Sequence, residues 1–280
     1  MPNLSGMFRV VHIELINIRR NPKIWIIFLF IFAIAFQMLN PVVYMGRDTG
    51  YRASLWGGAM FLLNSSSISW VSALYVILVV LLYSDAPFIN ANQELCILRY
   101  GKKRWLYAQS LYILILAILL TLMWIICAFI VLIPQGSWAM RWDTVWKTLT
   151  VTSAKDQYGV LLFMPERLIR QYTLAEAFWL SAGLKLCFFI LIGNVIFFGS
   201  LFSRAIGISM GLLFALQGLF TEIDAPYIYI WFAPASFSNL FSLSKYATSM
   251  YPTPSQAFLL LIGFIGLFTI LNNVVGRRWI

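Results

Sequence analysis

An all-α integral membrane protein with six transmembrane helices is the fold class this sequence predicts, and three observations predict it. Hydrophobic residues make up 61% of the 280 and charged residues 11%, with a mean hydropathy of +0.83. A soluble domain keeps roughly a quarter of its residues charged, so lipid must solvate much of this surface. Apolar runs of about the ~20 residues that cross a bilayer as a helix recur from end to end. The polar stretches between them are too short to fold alone, so residues 1–280 read as a single membrane domain.

The spans are expected at 24–43, 68–84, 105–133, 176–202, 205–221 and 256–275. Before the first, Leu4, Met7, Phe8, Val11, Leu15 and Ile18 recur at helical spacing while Arg9, Glu14, Arg19 and Arg20 are polar. Residues 4–20 therefore predict an amphipathic helix, lying in the headgroup layer or packed on protein. Pro22 ends it. The first 23 residues lack the continuous apolar core and small-residue cleavage site of a signal peptide, so the first span is expected to be retained. Arg19, Arg20 and Lys23 enter that span, Lys102, Lys103 and Arg104 enter the third, and Arg277 and Arg278 follow the sixth. These clusters anchor the chain at one interface and make it the cytoplasmic one, with both termini on that side. The loop between the third and fourth spans runs against the rule, with Arg141, Lys147, Lys155, Arg167 and Arg170, partly balanced by Asp143, Asp156 and Glu166.

In that loop Trp138, Trp142 and Trp146 are four apart, an aromatic stripe at interface level if the segment is helical. Residues 223–243 are rich in aromatics and interrupted by Pro226 and Pro234. They predict two short helices dipping into the outer leaflet, a backbone tolerated there only where protein or a water-filled cavity covers it. The run Asn64-Ser65-Ser66-Ser67 suits the cap of the second span.

Catalytic and metal chemistry finds little purchase. The net charge of +10 is spread in short clusters beside apolar runs, which fits lipid headgroups and not nucleic acid. Cys96, Cys127 and Cys187 are scattered without metal or disulfide spacing. Gly207-Ile208-Ser209-Met210-Gly211 matches G-x-S-x-G, but the nucleophile elbow needs a strand before the serine, and the only histidine is His12. The same glycines make a small-xxx-small face for close helix packing. Lys185, well inside the fourth span, either faces the bundle interior or snorkels to the interface. Asn194, Gln217, Asn272 and Asn273 are explained by interhelical hydrogen bonds.

The loop between the second and third spans, 85–104, carries the strongest functional signal. Asp85 can cap a short helix with Pro87 in its first turn, and Gly101 can end it. Such a helix presents Phe88, Ile89, Leu95 and Cys96, an apolar surface suited to a soluble partner or to the membrane.

Here the chain resembles the permease subunits of type-2 ABC exporters, in the branch common in Gram-positive bacteria. The resemblance rests on Ser84-Asp85-Ala86-Pro87-Phe88, on Leu98-Arg99-Tyr100-Gly101-Lys102-Lys103-Arg104-Trp105, and on Trp231-Phe232-Ala233-Pro234-Ala235-Ser236-Phe237. The last is similar to the family's W/Y-F-S-P-x-S-W segment and departs from it at Ala233 and Phe237. The resemblance implies a permease paired with a second copy or a related subunit in a bacterial cell membrane. It implies two separate cytoplasmic ATPase subunits that hold ATP and Mg2+, with no cofactor in this chain. The coupling helix would span Asp85 to Arg99, with Asp85, Phe88, Ile89, Leu95 and Arg99 transmitting ATP-driven closure. A cavity at the dimer interface, lined by the first, second and fifth spans, would pass an amphipathic peptide, lipid-linked molecule or drug. The competing expectations are a membrane resistance protein that binds an antimicrobial peptide without pumping it, and a membrane enzyme. The enzyme lacks a histidine, metal cluster or carboxylate pair at membrane depth, since acids such as Glu222 and Asp224 sit near span ends.

Overall fold

The computed structural model describes residues 11–12, 16, 21–65, 69–86, 97–161, 164–220, 227–246 and 250–279. Most of the 4–20 segment with Arg19 and Arg20, the stretch holding Phe88, Ile89 and Leu95, and Glu222, Asp224 and Pro226 lie outside the described residues.

Helix α1 spans Pro22–Thr49. Asn21 caps it by accepting from the Lys23 N–H at 3.0 Å, and Pro22 occupies the first turn, where its missing N–H costs nothing. The helix outruns the expected 24–43 because residues 44–49 continue it until Gly50, whose φ of 74° suits a residue without a Cβ. Pro41 lies inside it.

The next elements were not expected. Ala53–Ser54 (β1) pairs in parallel with Gly136–Ser137 (β2), a small departure from an all-α fold. A Cβ on Gly136 would sit 2.5 Å from Leu55 Cδ2 and 2.8 Å from the Leu132 carbonyl, so only glycine fits there. Leu55–Asn64 forms α2, buried at every residue except the half-buried Trp56. Such a helix is apolar on all sides, so it leaves no amphipathic period in the sequence. Asn64 therefore closes α2, where the sequence suggested that it caps the following helix. That helix, α3, spans Ser69–Tyr83.

α4 covers Lys102–Leu132 and runs into a 3-10 turn at Ile133–Gln135. A small cap follows, with α5 at Thr144–Val151, α6 at Ala154–Gln157 and α7 at Glu166–Gln171. The expected tryptophan stripe does not form. Trp138 precedes α5 and is exposed, Trp142 donates to the Tyr172 carbonyl at 2.8 Å, and Trp146 is fully buried. Trp146 Nε1 donates to the Ser54 carbonyl at 3.1 Å, and its ring fills the space left by Gly57. Asp143 ties the cap to β1, accepting from the N–H groups of Trp146 and Ser54.

α8 spans Leu174–Ser200 and opens with a reciprocal capping box between Thr173 and Glu176. It is the centre of the bundle, packed against α2, α3 and α4. α9 (Arg204–Phe220) folds back along α8, with Gly199, Gly207 and Gly211 at the contact. α10 (Tyr227–Phe232) and 3-10 turns at Ser236–Ser238 and Leu240–Ser242 form the broken segment, whose turns are buried against α8. α11 (Pro254–Trp279) leans on α8 and α4 and carries Arg277 and Arg278 inside its last turn, where a helix favours cations. Of the apolar window in α8, 72% is buried, against 11% for α11, so α11 is peripheral.

Among the described residues, four helices are long and apolar enough to cross a membrane: Pro22–Thr49, Lys102–Gln135, Leu174–Ser200 and Pro254–Arg278. The chain is a helical membrane protein.

Candidate functional site

The candidate side chains among the described residues gather at two levels of the bundle. The first is the end that holds the starts of α1, α4 and α9. There Ser84, Asp85 and Ala86 turn the chain out of α3, with the Ala86 N–H donating to the Tyr83 carbonyl at 3.0 Å. Asp85 bridges two cationic side chains. Its Oδ1 accepts from Lys23 Nζ at 2.6 Å and from an Arg204 terminal nitrogen at 2.9 Å. Ser84 doubles each link. Its hydroxyl takes a second bond from Lys23 at 3.1 Å, and its carbonyl takes one from Arg204 Nε at 2.9 Å. One turn of chain thus holds the first turns of α1 and α9 together. All three side chains are partly exposed, so screening keeps the energy of these ion pairs small, about 0–1 kcal/mol each. Their value lies in geometry.

Beyond the turn, Arg99 is exposed and stacks over the Tyr100 ring at 5.7 Å. Gly101, at φ 83°, receives the last helical turn through its N–H to the Ile97 carbonyl at 2.9 Å. α4 then begins with exposed Lys102 and Lys103 and half-buried Arg104. Cations in a first turn oppose the helix dipole, so helix stability does not account for them. Arg204 was missed in the sequence, although a lone arginine between two apolar runs was a visible signal.

The second level lies inside the bundle, where α2 stops. Lys185 is 1% exposed, and its ammonium sits 3.3 Å from Ser238 Oγ and 4.8 Å from the centre of the Tyr75 ring. Tyr75 stacks flat on Trp124 at 4.0 Å and donates to the Leu62 carbonyl at 3.1 Å. Asn64 donates to Ser181 Oγ at 2.8 Å and accepts from the Leu240 N–H at 2.7 Å. Lys185 and Ser181 lie one turn apart on α8, so a single face of that helix serves both. The cation is held by a ring face and a hydroxyl, and the amide joins α2, α8 and the broken segment. The arrangement braces a helix break at depth. Lower in the bundle, the Asn272 amide donates to the Asn194 side chain at 3.2 Å, an interhelical bond between α11 and α8.

Ser209 sits on the exposed face of α9, preceded by α8 and not by a strand, so the context of a nucleophile elbow is missing. No group of three or more histidine, cysteine, aspartate or glutamate side chains suited to a metal occurs among the described residues. No protein-family model matches the chain, and neither a curated protein nor a solved structure shows significant similarity to it.

Proposed function

We propose that this chain is the transmembrane subunit of an ATP-driven exporter in a bacterial cell membrane. It moves an amphipathic peptide, a lipid-like molecule or a drug, while separate cytoplasmic ATPase subunits bind ATP and Mg2+. Six crossings make up the permease, with α2 and α3 in tandem as the second and α9 as the fifth. At about 1.5 Å per residue, the 10 residues of α2 and 15 of α3 laid end to end reach about 38 Å, more than the roughly 30 Å of a hydrocarbon core. Both termini are cytoplasmic, residues 4–20 lie in the inner headgroup layer, and α10 with its 3-10 turns re-enters the outer leaflet.

The observation that carries the reading is the knot of Asp85 with Lys23 and Arg204 at the start of the 85–104 loop. A push on that loop reaches the ends of α1, α3 and α9 together, which a coupling segment needs and an idle loop does not. The resemblance to exporter permeases at Ser84–Phe88 and Leu98–Trp105 points to the same role. In it, Phe88, Ile89 and Leu95 dock the ATPase, Arg99 and the Lys102–Arg104 cluster set the loop against the headgroups, and a second permease copy or a relative completes the transporter.

The test is a mild-detergent pull-down of the tagged protein from its own membrane. A soluble ATPase is expected at stoichiometric yield. Phe88→Asp and Leu95→Asp should lose it while still inserting, whereas Asp85→Asn should keep it bound with membrane-stimulated ATP turnover several-fold lower. An intact preparation without an ATPase refutes the exporter and leaves the peptide-binding resistance protein.

A further inference from the structure

Cations collect at both ends of the bundle, although orientation in a membrane calls for them at only one. α8 ends at Ser200, next to Arg204, so its start, 27 residues and about 40 Å away, lies at the other end of the bundle. α11 begins at that same far end, since Gly276 in its last turn abuts Leu106 near the start of α4. Here Arg167 of α7 and Lys245 of the loop before α11 meet around Tyr172, at the joint between α7 and α8. Lys245 Nζ lies 4.9 Å from the centre of the Tyr172 ring and donates to the Gln171 carbonyl at 2.7 Å. Arg167 donates to the Phe241 carbonyl, stacks over the Tyr251 ring at 5.6 Å, and stands within electrostatic reach of the Tyr172 hydroxyl. Tyr172 is 6% exposed, and its hydroxyl is buried with no hydrogen-bond partner among the described residues.

A hydroxyl buried without a partner is costly. Both cations bond to main-chain carbonyls, which do not neutralise them, and the nearby carboxylate is Glu176, 3.9 Å from Lys245. Glu176 also accepts the Thr173 N–H at 2.9 Å to close the capping box of α8. Two cations against that one carboxylate leave a positive charge beside an unused hydroxyl, a donor set that suits phosphate oxygens. Depth identifies the phosphate. Tyr172 stands just before α8, and α8 and α11 touch below it at Gly183 and Phe258. Trp179 and Leu259, on the opening turns of those helices, are exposed. Headgroups therefore lie level with the cations and hydrocarbon begins below them. We propose that Arg167, Lys245 and the Tyr172 hydroxyl form a site for the phosphate of an anionic phospholipid, whose acyl chains run along the opening turns of α8 and α11. On binding, the Lys245 side chain, 38% exposed, lifts from the Tyr172 ring onto the phosphate. The site rests on α8 and α11 crossing the membrane and not on the presence of an ATPase, so a pull-down without ATPase leaves it standing.

The test uses the full chain, purified in mild detergent, stripped of lipid and titrated with phosphatidylglycerol or phosphatidylcholine. Native mass spectrometry reads bound lipid, and a thiol-reactive dye on the buried Cys127 reads melting. Phosphatidylglycerol should bind and raise the melting temperature, with phosphatidylcholine about tenfold weaker or more. Arg167→Gln/Lys245→Gln should weaken phosphatidylglycerol about tenfold or more. Arg141→Gln/Lys147→Gln removes the same charge from exposed positions of the cap and should leave binding unchanged. Tyr172→Phe removes only the unpartnered hydroxyl. Without lipid it should melt no lower than wild type, yet it should bind phosphatidylglycerol about threefold more weakly. Should the Arg167/Lys245 variant fail to accumulate, Tyr172→Phe alone decides. Unchanged phosphatidylglycerol binding by Tyr172→Phe would overturn the proposal, and so would equal losses in the two double variants. Saturation by inorganic phosphate at lower concentration than by phosphatidylglycerol would overturn it too and make the site one for free phosphate.

Discussion

The contact between α8 and α9 offers the sharpest test of the fold. A Cβ placed on Gly207 would lie 2.0 Å from Ser200 Oγ, 2.6 Å from the Ile196 carbonyl and 2.7 Å from the Ser200 backbone nitrogen. The hydroxyl can rotate away, but the carbonyl and the nitrogen belong to the facing helix. Relieving them to an ordinary carbon contact of about 3.5 Å means separating two packed helices by roughly 1 Å. Overpacking of this kind costs about 1–3 kcal/mol, and each ~1.4 kcal/mol is about a tenfold change in the ratio of folded to unfolded chains. Gly207→Ala should therefore lower the melting temperature by several degrees. Gly266→Ala is the matched control, because a Cβ there meets nothing within 4 Å and the substitution differs in no other way. A thiol-reactive dye in detergent supplies the assay, since Cys127 is fully buried and reports the opening of the bundle. Gly207→Leu should be worse than alanine, and Gly211→Ala milder, because its nearest contacts are Ile196 side-chain atoms that can yield. Equal melting of Gly207→Ala and Gly266→Ala would refute the close approach of α8 and α9.

Two further predictions concern the brace and the cap. Asn64→Leu leaves the buried Leu240 N–H without its acceptor and should cost about 1–3 kcal/mol, read as a lower melting temperature with the same dye. Burial pushes the Asp143 carboxyl above its ordinary range, despite the backbone N–H groups of Trp146, Ser54 and Val145 and the charge of Lys147. A raised folded value means its stabilising contribution is full below the unfolded pKa, about 4, and is lost as pH rises through the folded value. Melting followed by tryptophan emission from pH 4 to 7 should show that decline in the wild type and not in Asp143→Asn. A pH-independent difference between the two would remove the carboxyl as the cause.

How much was legible depended on whether one segment carried the signal by itself. The four long helices were readable because about 20 consecutive apolar residues have few other uses. Their ends moved by a few residues where local chemistry decided, as at Gly50 and at the Thr173–Glu176 capping box. Gly207 and Gly211 were readable as a packing face from their spacing alone. The basic clusters at Lys23 and Lys102–Arg104 were visible too, but not that Lys23 grips Asp85, since 62 residues separate them.

By itself, then, the sequence determined that this is a helical membrane chain, roughly where its long helices lie, and where charge collects at their ends. These properties follow from local composition, because the bilayer acts on each segment separately. Tertiary structure alone decided that Leu55–Asn64 is a separate buried helix, that Trp146 fills the gap at Gly57, and that Asp85 bonds to Lys23 and Arg204. It also decided that Lys185 rests on Tyr75 and Lys245 on Tyr172. In an all-apolar helix every face looks alike along the chain. Which face is buried, and which polar group meets which, depends on the neighbours that long-range packing supplies.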